Sequence, residues 1–346
     1  MSDSKSVRLT LATSPHMFNN ERSSRIMFDV CVAMIPALIA AVLFYGWRSL
    51  LLTVVSVAAC VVTEFVTRKL LKRSNTIDDL SAVVTGMLIA FNVPADFPIW
   101  MLIIGDIIAI VVVKEFFGGL GQNFMNPALA ARVILAASFA GAMGTIPQLG
   151  GLLPQSVLEP HLVGGAVDAV AVATPLSNLK TFAQTGTGDL GAQLPGLGQF
   201  FLGFRTGVIG EISAFALILG GIYMLFRRLI NPILPLAFVG TVAAFMLLAS
   251  GFDLQFTAYQ LMSGGLMLGA IFMATDYATS PLTWKGKIIF GIGCGVITSM
   301  IRLFGSLPEG VSFSILLMNL LTPHIEKWTR PVPFGKTKEQ KAKVAS

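Results

Sequence analysis

The sequence predicts an all-α polytopic membrane protein. Of its 346 residues, 54% are hydrophobic and only 12% are charged, and the mean hydropathy is +0.77. A soluble domain usually carries about 25% charged residues. Apolar runs of about 20 residues, each long enough to cross a bilayer, also recur along the chain. These runs disfavour the alternative of a large soluble protein with several buried helices.

Five apolar segments on each side of a polar loop define the predicted domains. The first five-helix repeat covers 26–139 and the second covers 206–326. Between them, residues 140–205 are rich in Gly, Pro, Ser, Thr and Gln and contain no span-length apolar run. We expect 1–25 to be a cytoplasmic N-terminal segment and 327–346 a basic cytoplasmic tail. The ten predicted spans are 26–45, 50–71, 80–91, 99–113, 126–139, 206–226, 233–249, 259–274, 288–304 and 311–325.

Lysine and arginine residues predict the orientation of these spans. With the N-terminus in the cytoplasm, the basic cluster at 68–73, Arg227, Arg228 and the lysines of the C-terminal tail all face the cytoplasm. This arrangement satisfies the positive-inside rule and places the 140–205 loop outside the cytoplasm. It also accounts for the net charge of +6. We therefore predict a lipid-bilayer environment and no nucleic-acid partner.

An odd number of spans per half predicts two inverted five-helix repeats. The stretches 86–98 and 269–281 have the same length, and in each a glycine-bearing helix gives way to a polar break, FNVPADFP or MATDYATSP. Matching interruptions of this kind point to an intramembrane site, and they favour a transporter or channel as one functional class. Irregular backbone at membrane depth must be buried in protein or line a cavity. The candidate path residues in the two breaks are Asn92, Asp96, Thr275 and Asp276.

Ionisable residues within the predicted spans are further candidates. A charge at the bilayer centre costs at least about 2.5–3.5 kcal/mol on insertion scales. Asp106 lies in the middle of the fourth predicted span, and we consider both an ion path and local pairing for it. Pairing across the glycine-rich turn, for example of Glu115 with Arg132, is the alternative to a functional role. Near span ends we favour local pairing or a headgroup-level position, and the residues concerned are Glu64, Lys114, Glu115 and Glu211.

The three cysteines predict no metal centre built by this chain alone. Cys31, Cys60 and Cys294 are isolated within predicted helices, and the sequence contains no CxxC pair or Cys/His cluster. Zinc and iron–sulfur sites need several such ligands close together. We also find no arrangement that predicts a catalytic acid or base.

Four motifs resemble those of the NqrB/RnfD family. They are TSPH at 13–16, GGLGQN at 118–123 with NPA at 126–128, DAVAVATPL at 168–176, and ATDYATSP at 274–281. The family comprises membrane subunits of the sodium-pumping NADH:quinone reductase and of the Rnf ferredoxin:NAD oxidoreductase. The reductase subunit typically has an N-terminal extension that this chain lacks, so the RnfD branch of the family is the closer expectation. The resemblance covers nearly the whole chain.

The resemblance implies a covalent flavin in the central loop. In the family, FMN is joined through its phosphate to a threonine that ends a Ser/Thr-Gly-Ala-Thr motif, with an aspartate upstream. Thr174 would be the acceptor, Ala173 the small residue before it, and Asp168 the upstream acid. The chain has Ala-Val at 171–172 in place of the family's Ser/Thr-Gly. Pro175 keeps the backbone at Thr174 extended, which suits the approach of a modifying enzyme.

The same resemblance implies the role of the chain and its partners. Electrons would reach the FMN from a second flavin-bearing subunit and cross inward through another carrier, which the family suggests is riboflavin. Electron transfer would be coupled to movement of Na⁺ or H⁺ across a bacterial cytoplasmic (inner) membrane. The chain is then one electron- and ion-conducting subunit among other membrane and peripheral subunits, and not an enzyme alone. A stand-alone transporter or a structural scaffold would carry no bound flavin.

Overall fold

The computed structural model describes residues 23–119, 121–145, 175–185, 194–305 and 309–330. Within these ranges every regular element is helical, which confirms the predicted all-α class. Two π-helical segments, Ile108–Glu115 and Gly269–Met273, continue short α-helices, and short 3₁₀ turns lie at Ile77–Asp79 and Ile209–Glu211. The helices are α1 Ser23–Tyr45, α2 Trp47–Leu70, α3 Ser81–Phe91, α4 Ile99–Ile107 with its π-helix Ile108–Glu115, α5 Pro127–Ser138, α6 Ala140–Gly144, α7 Pro175–Thr185, α8 Leu197–Leu202, α9 Ala214–Phe226, α10 Ile233–Ala249, α11 Leu254–Met262, α12 Leu266–Leu268 with its π-helix Gly269–Met273, α13 Trp284–Phe304 and α14 Val311–Thr329.

Several of these helices are long and apolar enough to cross a membrane. In the described part of the chain, α1, α2 and α13 meet this criterion individually. The segments α11 and α12 meet it together, although the chain bends by 63° between them. The shorter apolar helices, of 10–17 residues, are α3, α5, α9 and α10. The protein is thus a helical, multi-pass membrane protein.

Helix starts follow local chemistry. Asn126 precedes α5 and its side chain accepts hydrogen bonds from the backbone of Ala128 and Leu129, while Pro127 occupies the first helical position. An Asn cap followed by Pro is a favourable start, because the first N–H groups of a helix lack partners within the helix. Asp253 caps α11 in the same way. Local side chains therefore determine where these short helices begin.

Close helix packing depends on glycines at two crossings. A Cβ at Gly86 of α3 would lie 2.7 Å from Val57 Cα of α2, and one at Gly220 of α9 would lie 2.1 Å from the Ala33 carbonyl oxygen of α1. Small residues allow helix backbones to approach closely in membrane proteins. The packing of α1 on α9 and of α5 on α14 joins the two halves of the chain.

The two predicted polar breaks are confirmed as interruptions of helix. The third helix of the first half ends at Phe91, and residues 92–98 form turns before α4. The corresponding segment of the second half ends at Met273, and residues 274–283 form turns before α13. Each break therefore places non-helical backbone and polar side chains at the end of a short apolar helix.

Candidate functional site

Asn92 links the two interrupted segments. Its side chain is fully buried and donates to the Leu88 carbonyl oxygen at 2.6 Å and to Met273 Sδ at 3.7 Å. Its Oδ1 accepts a hydrogen bond from Arg132 at 2.9 Å. One amide thus contacts α3, α5 and the π-helix of the second half.

Asn126 reinforces the same junction from α5. Its Nδ2 donates to the Met273 carbonyl oxygen at 3.3 Å, one of the carbonyls at the end of the π-helix. Carbonyl groups at a helix end have no partner within the helix and need one elsewhere. The first break and the start of α5 therefore meet at the end of the second half's π-helix, in the interior of the protein.

A charge network surrounds Arg132. Its guanidinium lies 3.4 Å from Glu211 and 3.9 Å from Glu309, and Glu309 in turn lies 4.0 Å from Arg302. Glu309 also accepts a hydrogen bond from the backbone of Gly265 at 3.0 Å. The predicted local pairing of Glu211 is confirmed. The suggested pairing of Glu115 with Arg132 is wrong. Arg132 instead lies beside Glu211 and Glu309, which belong to segments distant in the sequence.

A second charge network occupies the end of α2. Lys114 lies 3.0 Å from Glu64 and donates to Ser81 Oγ at 2.6 Å, while Glu115 lies 3.0 Å from Arg68. All four charged side chains are at least nine-tenths buried. The predicted pairing of Glu64, Lys114 and Glu115 is confirmed, and Arg68 is the partner of Glu115. Burial of these charges is compensated by opposite charges at hydrogen-bonding distance.

The glycine-rich turn after α4 packs against this second network. Gly118 and Gly119 have φ angles of 120° and 99°, which favour glycine. A Cβ at Gly119 would lie 2.3 Å from Arg68 Nη2. Gly119 therefore lets the turn close over the Arg68 guanidinium, and the φ angles of Gly118 and Gly119 account for these two glycines in structural terms.

Asp106 has a different environment from the paired charges. It is fully buried in α4, and its Oδ1 lies 2.7 Å from Ser56 Oγ of α2. Within the described ranges no lysine or arginine lies within ion-pairing distance of it. Of the alternatives considered for Asp106, local ion pairing is therefore not observed.

The other predicted path residues occupy different places. Asp96 is half exposed and lies 3.6 Å from Arg48, so it forms a surface ion pair. The hydroxyl of Thr275 donates to the Ile271 carbonyl oxygen at 2.6 Å. Asp276 is partly buried and accepts a hydrogen bond from Thr279 at 3.1 Å. Asp96 thus contacts Arg48 of α2, whereas Thr275 and Asp276 lie at the second break.

A cavity of about 610 Å³ lies beside the second break. Its walls include Asp276 and Thr279 from the break, Asn123 from the glycine-rich turn and Asn319 from α14. The Oδ1 atom of Asn123 is buried and has no hydrogen-bond partner in the described part of the molecule. Cavities of about 300–1,000 Å³ with a few polar groups are typical of small-molecule sites.

The predicted flavin attachment site lies mostly outside the described residues. Asp168, Ala173 and Thr174 lie outside the described residues, as do the segments 1–22 and 331–346. Pro175, the residue bonded to Thr174, is buried and begins α7. Leu176 packs against Gly264 beside Glu309 and Arg302, and Lys180 donates to the Gly305 carbonyl oxygen. The start of α7 therefore lies against the Arg132 network.

Two residues of the site were not predicted. Glu309 lies in a loop just before α14, and the sequence does not predict its position beside Arg132. Met273 is one of many apolar residues in its segment, and its contact with Asn92 depends on the packing of distant helices. For Glu309, an acid between Pro308 and Gly310 at a predicted span end is the one available hint.

Comparison with known proteins places this architecture in a family. A model of the NQR2, RnfD, RnfE family matches residues 10–335. The chain belongs to this family. The D subunit of the Na(+)-translocating ferredoxin:NAD(+) oxidoreductase complex of Acetobacterium woodii is 44% identical over 337 residues, which cover 97% of this chain and 98% of that protein. The expected family is therefore confirmed.

Two further relatives agree with this assignment. The D subunit of the proton-translocating ferredoxin:NAD(+) oxidoreductase complex of Clostridium ljungdahlii is 42% identical, and the match covers 94% of this chain and 96% of that protein. The D subunit of the ion-translocating oxidoreductase complex of Escherichia coli is 33% identical, with coverage of 95% and 99%, respectively. Similarity thus extends over nearly the full length of each protein.

Proposed function

We propose that this chain is the RnfD component of an Rnf-type complex, which couples electron transfer between ferredoxin and NAD⁺ to ion transport across the membrane. Full-length similarity to the D subunits of such complexes supports the assignment. The main structural support for this assignment is the buried contact between Asn92 and Met273, where two interrupted apolar helices meet. Such junctions provide polar groups inside a membrane protein without exposing them to lipid.

The proposed architecture is ten spans in two inverted five-helix repeats. Each half contains a third segment that ends in a polar break, and the first helices of the two halves pack together, as do the fifth helices. Basic loops favour cytoplasmic N- and C-termini in the bacterial inner membrane. In this orientation the Arg132 network and the start of α7 face the outer side, and the Glu64 network faces the cytoplasm.

The proposed cofactor of the outer side is FMN on Thr174. Attachment there is supported by the family motif and by the position of α7, whose first residue is bonded to Thr174. A flavin supplies reversible one- and two-electron chemistry when bound. The residues of this chain would anchor the attachment point through Leu176 and Lys180, so that the loop end stays beside Arg302 and Glu309.

The proposed second ligand is riboflavin in the cavity beside Asp276. The cavity volume of about 610 Å³ suits a ligand of that size. The unpartnered Asn123 Oδ1 would accept a hydrogen bond from an N–H or hydroxyl group, and a buried acceptor without a partner is otherwise unfavourable. Asn319 and Thr279 supply further polar groups to the walls.

The proposed partners are other membrane and peripheral subunits, including a second flavin-bearing subunit. Large apolar side chains on the outside of the bundle, such as Leu282, Leu254 and Phe226, are at least three-quarters exposed. Exposed apolar surface of this kind fits contact with lipid and neighbouring subunits. The electron-transfer reaction would belong to the assembled complex and not to this chain alone.

Intact mass and in-gel flavin fluorescence of denatured protein test the proposal. The chain is co-expressed with a flavin-transferring enzyme, and wild type is compared with Thr174→Ala and with Ser177→Ala, which removes a nearby hydroxyl of α7. We expect an FMN-sized mass adduct and fluorescence in wild type and Ser177→Ala, and neither in Thr174→Ala. A colourless wild-type protein that transports ions without companion subunits would instead support the transporter alternative.

A further inference from the structure

Asp106 lies in a small polar cluster between α2, α3 and α4. Ser56 Oγ is 2.7 Å from Asp106 Oδ1 and 2.9 Å from the Gly86 carbonyl oxygen. Cys60, one turn further along α2, is a further polar neighbour of the carboxyl group. The second carboxyl oxygen, Oδ2, is buried without a hydrogen-bond partner in the ranges that the structure describes.

The hydrogen bonds of Ser56 constrain the protonation of Asp106. A serine hydroxyl has one proton and can donate one hydrogen bond at a time. If Asp106 were ionised, Ser56 could donate its proton either to the carboxylate or to the Gly86 carbonyl oxygen. The two oxygens of the remaining contact would then lie close together with no proton between them. If Asp106 is a neutral acid, it donates to Ser56 and Ser56 donates to Gly86. Only the neutral acid satisfies both contacts.

Among the residues that the structure describes, no positive charge lies beside Asp106 to favour its ionised form. On α2, the thiol of Cys60 faces the carboxyl group, and Glu64 lies a further turn away. On α3 the contact is a backbone carbonyl, and on α5 Leu135 packs against Gly105. Lys114, two turns along from Asp106, lies 3.0 Å from Glu64. A buried carboxylate without an opposite charge is strongly unfavourable and is usually avoided by protonation.

The oxygen spacing also distinguishes a proton from a metal ion. Distances of 2.7 and 2.9 Å are those of direct hydrogen bonds, so no atom lies between the paired oxygens. Hard cations bind instead among several oxygens that surround them. In the part of the chain that the structure describes, the cluster therefore suits a proton better than a hard cation.

The helix geometry beside Asp106 is irregular. The α-helical pattern of α4 ends at Ile107 and continues as a π-helix from Ile108 to Glu115. π-helical segments within helices occur frequently at functional sites. If the hydrogen-bond register of this helix shifted by one residue, Asp106 would move relative to Ser56. Such a shift would provide a way to expose the acid and to bury it again.

We propose that Asp106 is an intramembrane proton-binding site, neutral when hydrogen-bonded to Ser56 and able to release its proton when that contact breaks. Release leaves the carboxylate and transfers one proton to water or to another acceptor group, so charge and atoms balance. Its place in ion transport rests on the proposed function, but the protonation itself does not.

Infrared difference spectroscopy tests the protonation directly. The full-length chain is labelled with ¹³C at the aspartate side-chain carboxyl groups, placed in lipid bilayers at neutral pH, and compared with Asp106→Asn. We expect the substitution to remove a carboxylic-acid band that shifts in D₂O. The matched control, Asp29→Asn, removes an aspartate that lies 2.8 Å from Arg227, and should remove a carboxylate band instead. Loss of a carboxylate band in Asp106→Asn would overturn the proposal.

Two further comparisons separate the proton site from the proposed function. Ser56→Ala should shift the acid band of Asp106, because its hydrogen-bond acceptor is removed, and exchange of KCl for NaCl should leave that band unchanged. Conversion of the band to a carboxylate on addition of Na⁺ would show cation binding and refute the proton site. In the assembled complex, Asp106→Asn should uncouple ion transport from electron transfer. Full coupling in that variant would remove Asp106 from the ion path whatever its protonation.

Discussion

Arg132 donates a hydrogen bond to Asn92 across 2.9 Å, and this contact connects α5 to the first polar break. Because Asn92 also contacts Met273, the bond links the charge network of Arg132 to the junction between the two halves. Electrostatic changes around Arg132 therefore act directly on the residues that hold the interrupted helices together.

Replacement of Asn92 by leucine should destabilise the protein by about 1–3 kcal/mol, because it leaves buried polar groups without a partner. The measurement is thermal unfolding in detergent micelles. Asn75→Leu, a change at an exposed amide, is the control and should have little effect. Equal unfolding temperatures for Asn92→Leu and wild type would show that the junction contributes no stability.

Removal of one partner of the buried Glu64–Lys114 pair should cost about 3–5 kcal/mol, because the other charge remains buried and uncompensated. The double variant Glu64→Gln with Lys114→Met should cost less than the sum of the single changes. Asp96→Asn at the exposed pair with Arg48 is the control and should cost about 0.2–1 kcal/mol. Additive costs in the double-mutant cycle would contradict a direct interaction between Glu64 and Lys114.

Gly86→Ala should weaken the packing of α3 on α2, because the new Cβ would lie 2.7 Å from Val57 Cα. Gly240→Ala is the matched control in α10, where a Cβ would meet no atom within 4 Å. There the change should stabilise the helix by up to about 1 kcal/mol. Unfolding temperatures that move in the same direction for both variants would refute a close helix crossing at Gly86.

Asn123→Leu should reduce the riboflavin that is released from denatured protein, because it removes the unpartnered acceptor from the cavity wall. The covalent flavin adduct should stay unchanged in the same samples. Asn231→Leu, at an exposed amide outside this cavity, is the control. Riboflavin content equal to that of wild type would place the ligand elsewhere.

Sequence patterns predicted the helices and their interruptions better than the contacts between them. Apolar runs and Pro or Asn signals indicated segments close to α1, α3 and α5, and both polar breaks, because these depend on local chemistry. That Glu64 and Glu115 would be paired followed from the cost of a buried charge. The identities of the partners did not follow. Arg132, suggested as the partner of Glu115, instead lies beside Glu309, and these two residues meet only after helices far apart in sequence have packed.

The shortness of α3 has an electrical consequence. Its 11 residues rise about 16 Å, roughly half of the 30 Å hydrocarbon thickness of a bilayer. Where polar groups at its end admit water or ions, the insulating layer is correspondingly thinner. The membrane voltage then falls over about half the distance, so the work of about 2.3 kcal/mol per charge and 100 mV is done over roughly 14 Å. A given displacement of charge near Asn92 would consequently cross about twice the share of the voltage that it would cross in a full-thickness layer.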